Sequence, residues 1–404
     1  MNAFSPTSPF AHIELAPRDP ILGITEGYNA DQNPRRVNLG VGVYYDNAGR
    51  LPLLQSVRQA EQQLVEQNRP RGYLPIEGLA AYNAAVQPLL FGADSAAIKA
   101  GRIVTLQSLG GTGALKLGAD FLKRFIPGAA VHVSNPSWEN HRALFEGAGF
   151  EVNTYPYYGG PGKGVDFTGM LDRLSQLPAG DIVLLHACCH NPTGLDLTRE
   201  QWAQVIELVR VKQLIPFLDI AYQGFGDGID ADAYAVRAFL ETAGPLLVAS
   251  SFSKSMALYG ERVGALSVVG ADADEAKRLL SQLKRVARVT YSNPPTHGGQ
   301  VAALVLTQPE LRTLWEKELG EMRDRIRTMR HALASQLAER VPGRDFSFIT
   351  SQRGMFSYSG LSKEEVAKLK ETYSIYAVDS GRICVAALND NNVDYVAQAI
   401  AEVV

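Results

Sequence analysis

Between residues 103 and 269, short apolar runs alternate with longer stretches whose apolar positions recur at helical spacing, the pattern of a parallel sheet wrapped by helices. Six runs read as strands: 103–106, 130–133, 182–186, 215–219, 246–250 and 265–269. Several are apolar almost without interruption, as strands buried on both faces are. Polar residues gather just beyond their carboxyl ends, where open α/β sheets bind ligands. After Pro309 the texture changes to a charged amphipathic stretch, 310–340, read as a helix leading out of the sheet domain. Beyond it, 346–358 and 373–388 read as strands and 392–404 as a terminal helix. The expected division is an arm with part of a small domain in 1–50, a large domain in 51–315, and the rest of the small domain in 316–404. The Ser/Pro-rich opening, Phe4 to Pro9, reads as a flexible arm, and no internal repeat is present.

A chain of 404 residues exceeds the roughly 250–300 at which single cores stop growing, which agrees with two domains. With 46% hydrophobic and 20% charged residues the composition is that of a globular protein. No stretch approaches the ~18 apolar residues of a spanning helix, so no membrane association is expected. The start lacks a basic segment followed by an apolar block, so no signal peptide is expected. A net charge of −3 without a long basic run argues against a nucleic-acid partner. Three cysteines, Cys188, Cys189 and Cys384, suit neither a disulfide framework nor a zinc site, so no metal and a reducing cytoplasm are expected. Cys188 and Cys189 read as buried small residues at a strand end.

The densest chemistry lies in the run from Ser251 to Gly264, where Lys254 is flanked by Ser251, Ser253 and Ser255 and Arg262 follows eight positions later. Hydroxyls and an arginine can hold a phosphate beside an amine that condenses with an aldehyde, which implies pyridoxal phosphate; a surface charge in a Ser-rich turn is the other reading of Lys254. The glycine-rich run from Gly110 to Gly113 follows a strand and opens a helix, so its N–H groups suit an anion, although a plain turn fits it equally. Asp219 ends an apolar strand, with Tyr222 three positions later. A carboxylate there needs a cation or strong donor, such as a pyridine nitrogen; a cap after the strand is the other reading. Asn191 lies in a turn-like His-Asn-Pro-Thr-Gly sequence and, like Tyr222, offers a donor to a phenolate-like oxygen. Trp138 suits a flat ring and His141 suits support of Asp219, while core packing accounts for either alone.

Together these segments resemble the fold type I pyridoxal-phosphate aminotransferases, within them the class I aspartate and aromatic amino acid aminotransferases. The likeness runs from Ala16-Pro17-Arg18-Asp19-Pro20 to Gly381-Arg382-Ile383. It implies an α/β fold: a large domain with a mostly parallel central sheet wrapped by helices, plus a smaller α/β domain. It makes Lys254 the residue that joins the cofactor and moves the proton, Asp219 the partner of the ring nitrogen, and Tyr222 and Asn191 the holders of the ring oxygen. Trp138 would stack on the ring and His141 would support Asp219. Gly111, Thr112, Ser251, Ser253 and Arg262 would take the phosphate, with Tyr73 reaching the phosphate of a neighbouring subunit in a homodimer with shared sites. Arg382 would clamp the α-carboxylate beside Gly42, Asn191 and Trp138, and Arg288 would reach across the interface to a side-chain carboxylate. An amino dicarboxylate needs a cation at each end, which suits the two arginines.

Tyr45 and Leu51 stand where aromatic-active members carry tyrosine and an aliphatic residue, and apolar lining favours aromatic side chains. Val43 and Asn293 are instead those of an aspartate enzyme. The resemblance therefore implies ping-pong transamination of tyrosine, phenylalanine, aspartate and glutamate with a 2-oxo acid such as 2-oxoglutarate; an aspartate enzyme with little aromatic activity is the alternative. Two further classes are another pyridoxal reaction on this fold and a non-enzymatic sensor. The paired arginines weigh against the first, and the presence of Lys254, Asp219 and Arg382 against the second.

Overall fold

A computed structural model describes residues 8–16, 22–68, 70–242 and 244–404. Most of the Ser/Pro-rich opening, and residues 17–21 at the start of the resemblance, lie outside the described residues. A two-residue strand, β1 (Val37–Asn38), precedes seven strands that share one sheet. These are β2 (Ile103–Leu109), β3 (Val131–Asn135), β4 (Val152–Pro156), β5 (Ile182–His186), β6 (Ile215–Ile220), β7 (Leu246–Ser251) and β8 (Val263–Val269). Their order is β2-β8-β7-β6-β5-β3-β4. The pairs β3–β4, β3–β5, β5–β6 and β6–β7 are parallel, while β8 runs antiparallel to both β2 and β7. The six expected strands are therefore present: β5 has its expected bounds, β3 starts one residue later and ends two later than expected, and the other four are longer by a residue or more.

That one reversal positions the site. The carboxyl ends of β2 to β7 lie at one edge of the sheet, and because β8 is reversed its amino end, directly after Arg262, lies there too. β5 and β6 are buried along their whole length, which suits their unbroken apolar sequence. β4 was missed in the sequence because it is the sheet's edge: Val152 and Tyr155 are buried but Thr154 is exposed, so no continuous apolar run marks it.

Three short strands follow: β9 (Phe356–Tyr358), β10 (Ile375–Tyr376) and β11 (Arg382–Cys384). β10 pairs in parallel with β1, tying residue 37 to 375, and β11 pairs antiparallel with β9. The reading of 346–358 as a strand is corrected: Ser347–Ser351 is a 3₁₀ turn and only 356–358 are extended. Phe346 and Ile349 are both buried and three residues apart, the period of a 3₁₀ helix rather than of a strand. Likewise 373–388 breaks into β10, a turn with Gly381 at φ 82°, β11 and a 3₁₀ turn at Val385–Ala387.

The charged stretch is one helix, Pro309–Arg340, with proline at its first position, where no intrahelical N–H bond is lost. The terminal helix is Val393–Val403. Near its start the long helix buries Trp315, whose Nε1 donates to the Ser255 carbonyl at 2.6 Å beside Lys254. Further along it buries Arg330, which donates to the carbonyls of Gly354 at 2.6 Å and Phe356 at 3.1 Å. Burial pushes that guanidinium down to about 10, and the carbonyls compensate a cation with no carboxylate beside it. One helix thus braces both the lysine segment and the β9 strand. Among the described residues, no helix is long and apolar enough to cross a membrane.

Candidate active site

A cavity of about 330 Å³ opens at the sheet edge just described. It falls within the roughly 300–1,000 Å³ typical of small-ligand sites. Fourteen of the residues singled out from sequence are brought to it: Gly42, Gly111, Thr112, Trp138, Asn191, Asp219, Tyr222, Ser251, Ser253, Lys254, Arg262 and Arg382 line it, with His141 and Val43 beside or within the lining. They come from both ends of the chain and from six of the seven strand ends at that edge, that of β4 excepted.

At one end is an anion cradle. The helix Gly110–Phe125 begins here, so its first N–H groups have no intrahelical acceptor. Gly110 has φ 68° and its N–H donates to the Arg262 carbonyl at 3.0 Å. A Cβ on Gly264 would lie 2.4 Å from the Gly110 carbonyl carbon, so only glycine admits this approach of the reversed strand to the helix start. The Arg262 guanidinium donates to the Tyr259 carbonyl at 2.9 Å and lies 3.5 Å from Ser253 Oγ. The Ser253 N–H donates to Ser251 Oγ at 3.1 Å. A helix start, two hydroxyls and an arginine fork converge on one spot, the donor set of a phosphate site.

Across the cavity, Asp219 is buried near the end of β6 and lies 2.9 Å from His141 Nε2, while His141 Nδ1 lies 2.9 Å from Ser137 Oγ. Both nitrogens of this fully buried ring are thus engaged, which fixes its plane and leaves the rest of the carboxylate free to meet a ligand. Trp138 stands edge-on to His141 at 5.2 Å. Residue types alone did not disclose His186, which lines the cavity 4.9 Å from His141 with Nε2 unpaired. Burial, aided by His141, pushes His186 down to about 3, so it is a neutral wall.

Lys254 lies between the cradle and the carboxylate, with Nζ 5.8 Å from the Tyr222 ring centre and 5.6 Å from that of Tyr259. Burial, reinforced by the Arg262 charge and opposed by Asp219, pushes its ammonium down to about 8. That is the environment of a lysine nucleophile rather than of a surface charge. The Tyr222 phenol is pushed strongly upward by burial, so it is a neutral donor at ordinary pH.

The third wall is Arg382, 1% exposed. It donates from one NH₂ group to Asn191 Oδ1 at 3.1 Å and from the other to the Gly40 carbonyl at 2.6 Å, and its Nε has no partner. The guanidinium carbon lies 4.4 Å from the Phe356 ring centre. A buried cation with no carboxylate partner and a spare donor is poised for an anion. Phe356 was not anticipated from the sequence; a Cβ on Gly42 would lie 2.5 Å from its ring, so glycine at 42 leaves room for that aromatic floor.

Four expected residues do not reach this cavity within the chain. Tyr73 is 96% exposed and Arg288, bonded to Ser292 Oγ, is also exposed. Tyr45 packs partly buried against the core, and Leu51 is about half exposed.

The model of the family "Aminotransferase class I and II" matches residues 34–400. An aspartate aminotransferase of Pseudomonas aeruginosa is 60% identical over 98% of this chain and 99% of its own. The aromatic-amino-acid aminotransferase of Escherichia coli is 52% identical over 98% of this chain and all of its own. Among solved structures, the aromatic-amino-acid aminotransferase of Burkholderia pseudomallei, covalently bound to pyridoxal phosphate, superposes with a TM-score of 0.96. It is 62% identical and the match covers 98% of this chain and 100% of that one. The likeness in sequence spans nearly the whole chain, strand ends included, and with it the chain belongs to the class I and II aminotransferases.

Proposed function

We propose that the protein is a pyridoxal-phosphate transaminase that takes the amino group from tyrosine, phenylalanine, aspartate or glutamate and passes it to a 2-oxo acid such as 2-oxoglutarate. The observation that carries this reading is the convergence of Lys254, Asp219 and Arg382 on one cavity. The cofactor fits the residues present: an anion cradle lies at one end, a buried carboxylate with free acceptor capacity at the other, and a lysine with an easily lost proton between them. Gly111, Thr112, Ser251, Ser253 and Arg262 would hold its phosphate, Asp219 its ring nitrogen, Tyr222 and Asn191 its ring oxygen, and Trp138 its face. When bound it supplies an electron sink for charge developing at the substrate α-carbon.

The rest is the work of the side chains. Arg382 takes the substrate α-carboxylate in a bidentate grip, which turns the α-hydrogen toward Lys254. The Lys254 amine accepts that proton at Nζ and returns it on the other side of the exchange. The Asp219 carboxylate, oriented by His141, would pair with the ring nitrogen and favour its protonated form, while neutral His186 and the Phe356 ring form part of the cavity wall.

Because only the neutral amine attacks an aldehyde, the cofactor-free protein should capture pyridoxal phosphate faster as pH rises, by about tenfold per unit, levelling off above about 8. Borohydride trapping at Lys254 measures this. A rate still climbing past about pH 10 would return Lys254 to the class of ordinary lysines.

Arg288 and Tyr73 are exposed and away from the cavity of their own chain, which supports a homodimer in which each copy completes the site of the other. The paucity of cysteine, all three free and buried, supports a reducing cytoplasmic setting. Substrate range is tested by kcat/KM for tyrosine, phenylalanine and aspartate in the native enzyme and in Arg288→Ala. Comparable values for all three are expected in the native enzyme. The variant should lose about 30-fold on aspartate, the order of one charge-assisted contact, and stay within about threefold on tyrosine. Turnover of aspartate alone would leave an aspartate aminotransferase; equal losses on both substrates would remove Arg288 from side-chain recognition.

A further inference from the structure

We infer that Asp196 is a positioning residue that grips the turn 189–194 from behind and thereby keeps the Asn191 amide, and through it Arg382, set for the substrate α-carboxylate. The inference rests on the reading of Arg382 as the carboxylate clamp.

Beyond the end of β5 the chain must turn sharply to bring Asn191 to the cavity. Cys189 adopts φ 51°, a left-handed conformation unfavourable for a residue with a side chain. Such a conformation persists only where its surroundings hold it. Here the holding group is the Asp196 carboxylate: Oδ2 accepts the Cys189 N–H at 2.8 Å and Oδ1 accepts the His190 N–H at 2.9 Å. Two successive N–H groups on the two oxygens of one carboxylate fix the plane of the peptide between them.

The ring of His190 supplies a second tie. Its Nδ1 lies 2.9 Å from Thr193 Oγ1 and its Nε2 lies 2.9 Å from Ser134 Oγ in β3, and the ring stacks on Tyr157 at 3.9 Å. The Gly194 carbonyl accepts the Arg353 N–H at 2.6 Å, tying the far end of the turn to the segment that precedes β9. Asn191 sits between these ties, and its Oδ1 is one of the two acceptors that, among the described residues, orient the Arg382 guanidinium. A turn free to shift would leave Arg382 attached through the Gly40 carbonyl alone.

Asp196 itself does not meet the substrate. It lines a separate and larger cavity, of about 510 Å³, that shares no lining residue with the one at Lys254. Its role therefore passes through the turn. A carboxylate is required because it accepts at both oxygens; an asparagine of the same shape places an NH₂ donor against one of the two N–H groups.

The test compares the native holoenzyme with Asp196→Asn. Calorimetry gives the affinity for succinate, a dicarboxylate with no amino group to transfer, and steady-state kinetics give kcat and KM for aspartate and 2-oxoglutarate. Succinate should bind about tenfold more weakly to the variant and KM should rise by a similar factor for both substrates, the order of one charge-assisted hydrogen bond. With cofactor content and Tm preserved and kcat within about threefold, the loss is one of positioning rather than of general integrity. Unchanged succinate affinity in the variant, or a loss accompanied by falling kcat and cofactor content, overturns the inference. Failure of the native enzyme to bind succinate would instead overturn the underlying reading of Arg382. If Asp196→Asn does not fold, Thr193→Val cuts the second tie and carries the same prediction; unchanged succinate affinity there overturns the inference.

Discussion

Replacing Lys254 by alanine is expected to lower kcat by roughly four orders of magnitude, the upper end of what a positioned acid–base group supplies, while the cofactor stays bound. The separation of the two effects follows from the geometry. The helix start at Gly110, the Ser251 and Ser253 hydroxyls, Arg262 and the Asp219 carboxylate are all independent of the lysine side chain. The alanine removes the one lysine amine that, among the described residues, lines the cavity between the cradle and the carboxylate. Single-turnover kinetics with aspartate and tyrosine, alongside equilibrium dialysis of pyridoxal phosphate, measure the two properties separately. A variant that keeps more than about a tenth of native turnover would show that another group moves the proton.

Arg382→Ala should reduce kcat/KM by about 10³-fold for aromatic and dicarboxylic substrates alike, because every one of them carries the α-carboxylate. This uniform loss is the signature that sets it apart from Arg288→Ala, whose effect should follow the side chain of the substrate. Truncation also leaves Asn191 Oδ1 and the Gly40 carbonyl buried without their donor, so a stability loss of about 1–3 kcal/mol should accompany it. Lysine at 382 restores charge but not a planar fork, and the Phe356 ring 4.4 Å away is matched to a flat cation. Most of the kinetic loss should therefore persist in Arg382→Lys. Equal kcat/KM in the native enzyme and Arg382→Ala would assign the α-carboxylate to some other cation.

Much of the large sheet was legible because its strands are buried on both faces and so carry unbroken apolar runs, as in Ile182–His186 and Ile215–Ile220. The glycines at 110–113 and the lysine-to-arginine run were legible for a related reason: a phosphate cradle demands particular residue types within a short stretch. Where burial is one-sided or the period is three, as in Val152–Pro156 and Ser347–Ser351, no unbroken apolar run marks the strand and a 3₁₀ turn resembles one in sequence. Phe356, Arg330 and His186 escaped notice because each is ordinary in its local sequence and acquires a role only from what packs against it.

The sequence by itself determined which segments would be buried strands, where the chain would turn, and which short runs carry the chemistry of an amine beside a phosphate. Those are local matters, decided by side-chain period, backbone freedom and donor type over a few residues. The tertiary structure decided direction and company. Reversal of β8 is what carries Arg262 to the edge where the other strands end. Asp219 meets a histidine 78 residues away, and Arg382 meets an asparagine 191 residues away. No local pattern encodes such pairs, because apolar periodicity specifies that a strand is buried but neither which strand lies beside it nor which way that neighbour runs.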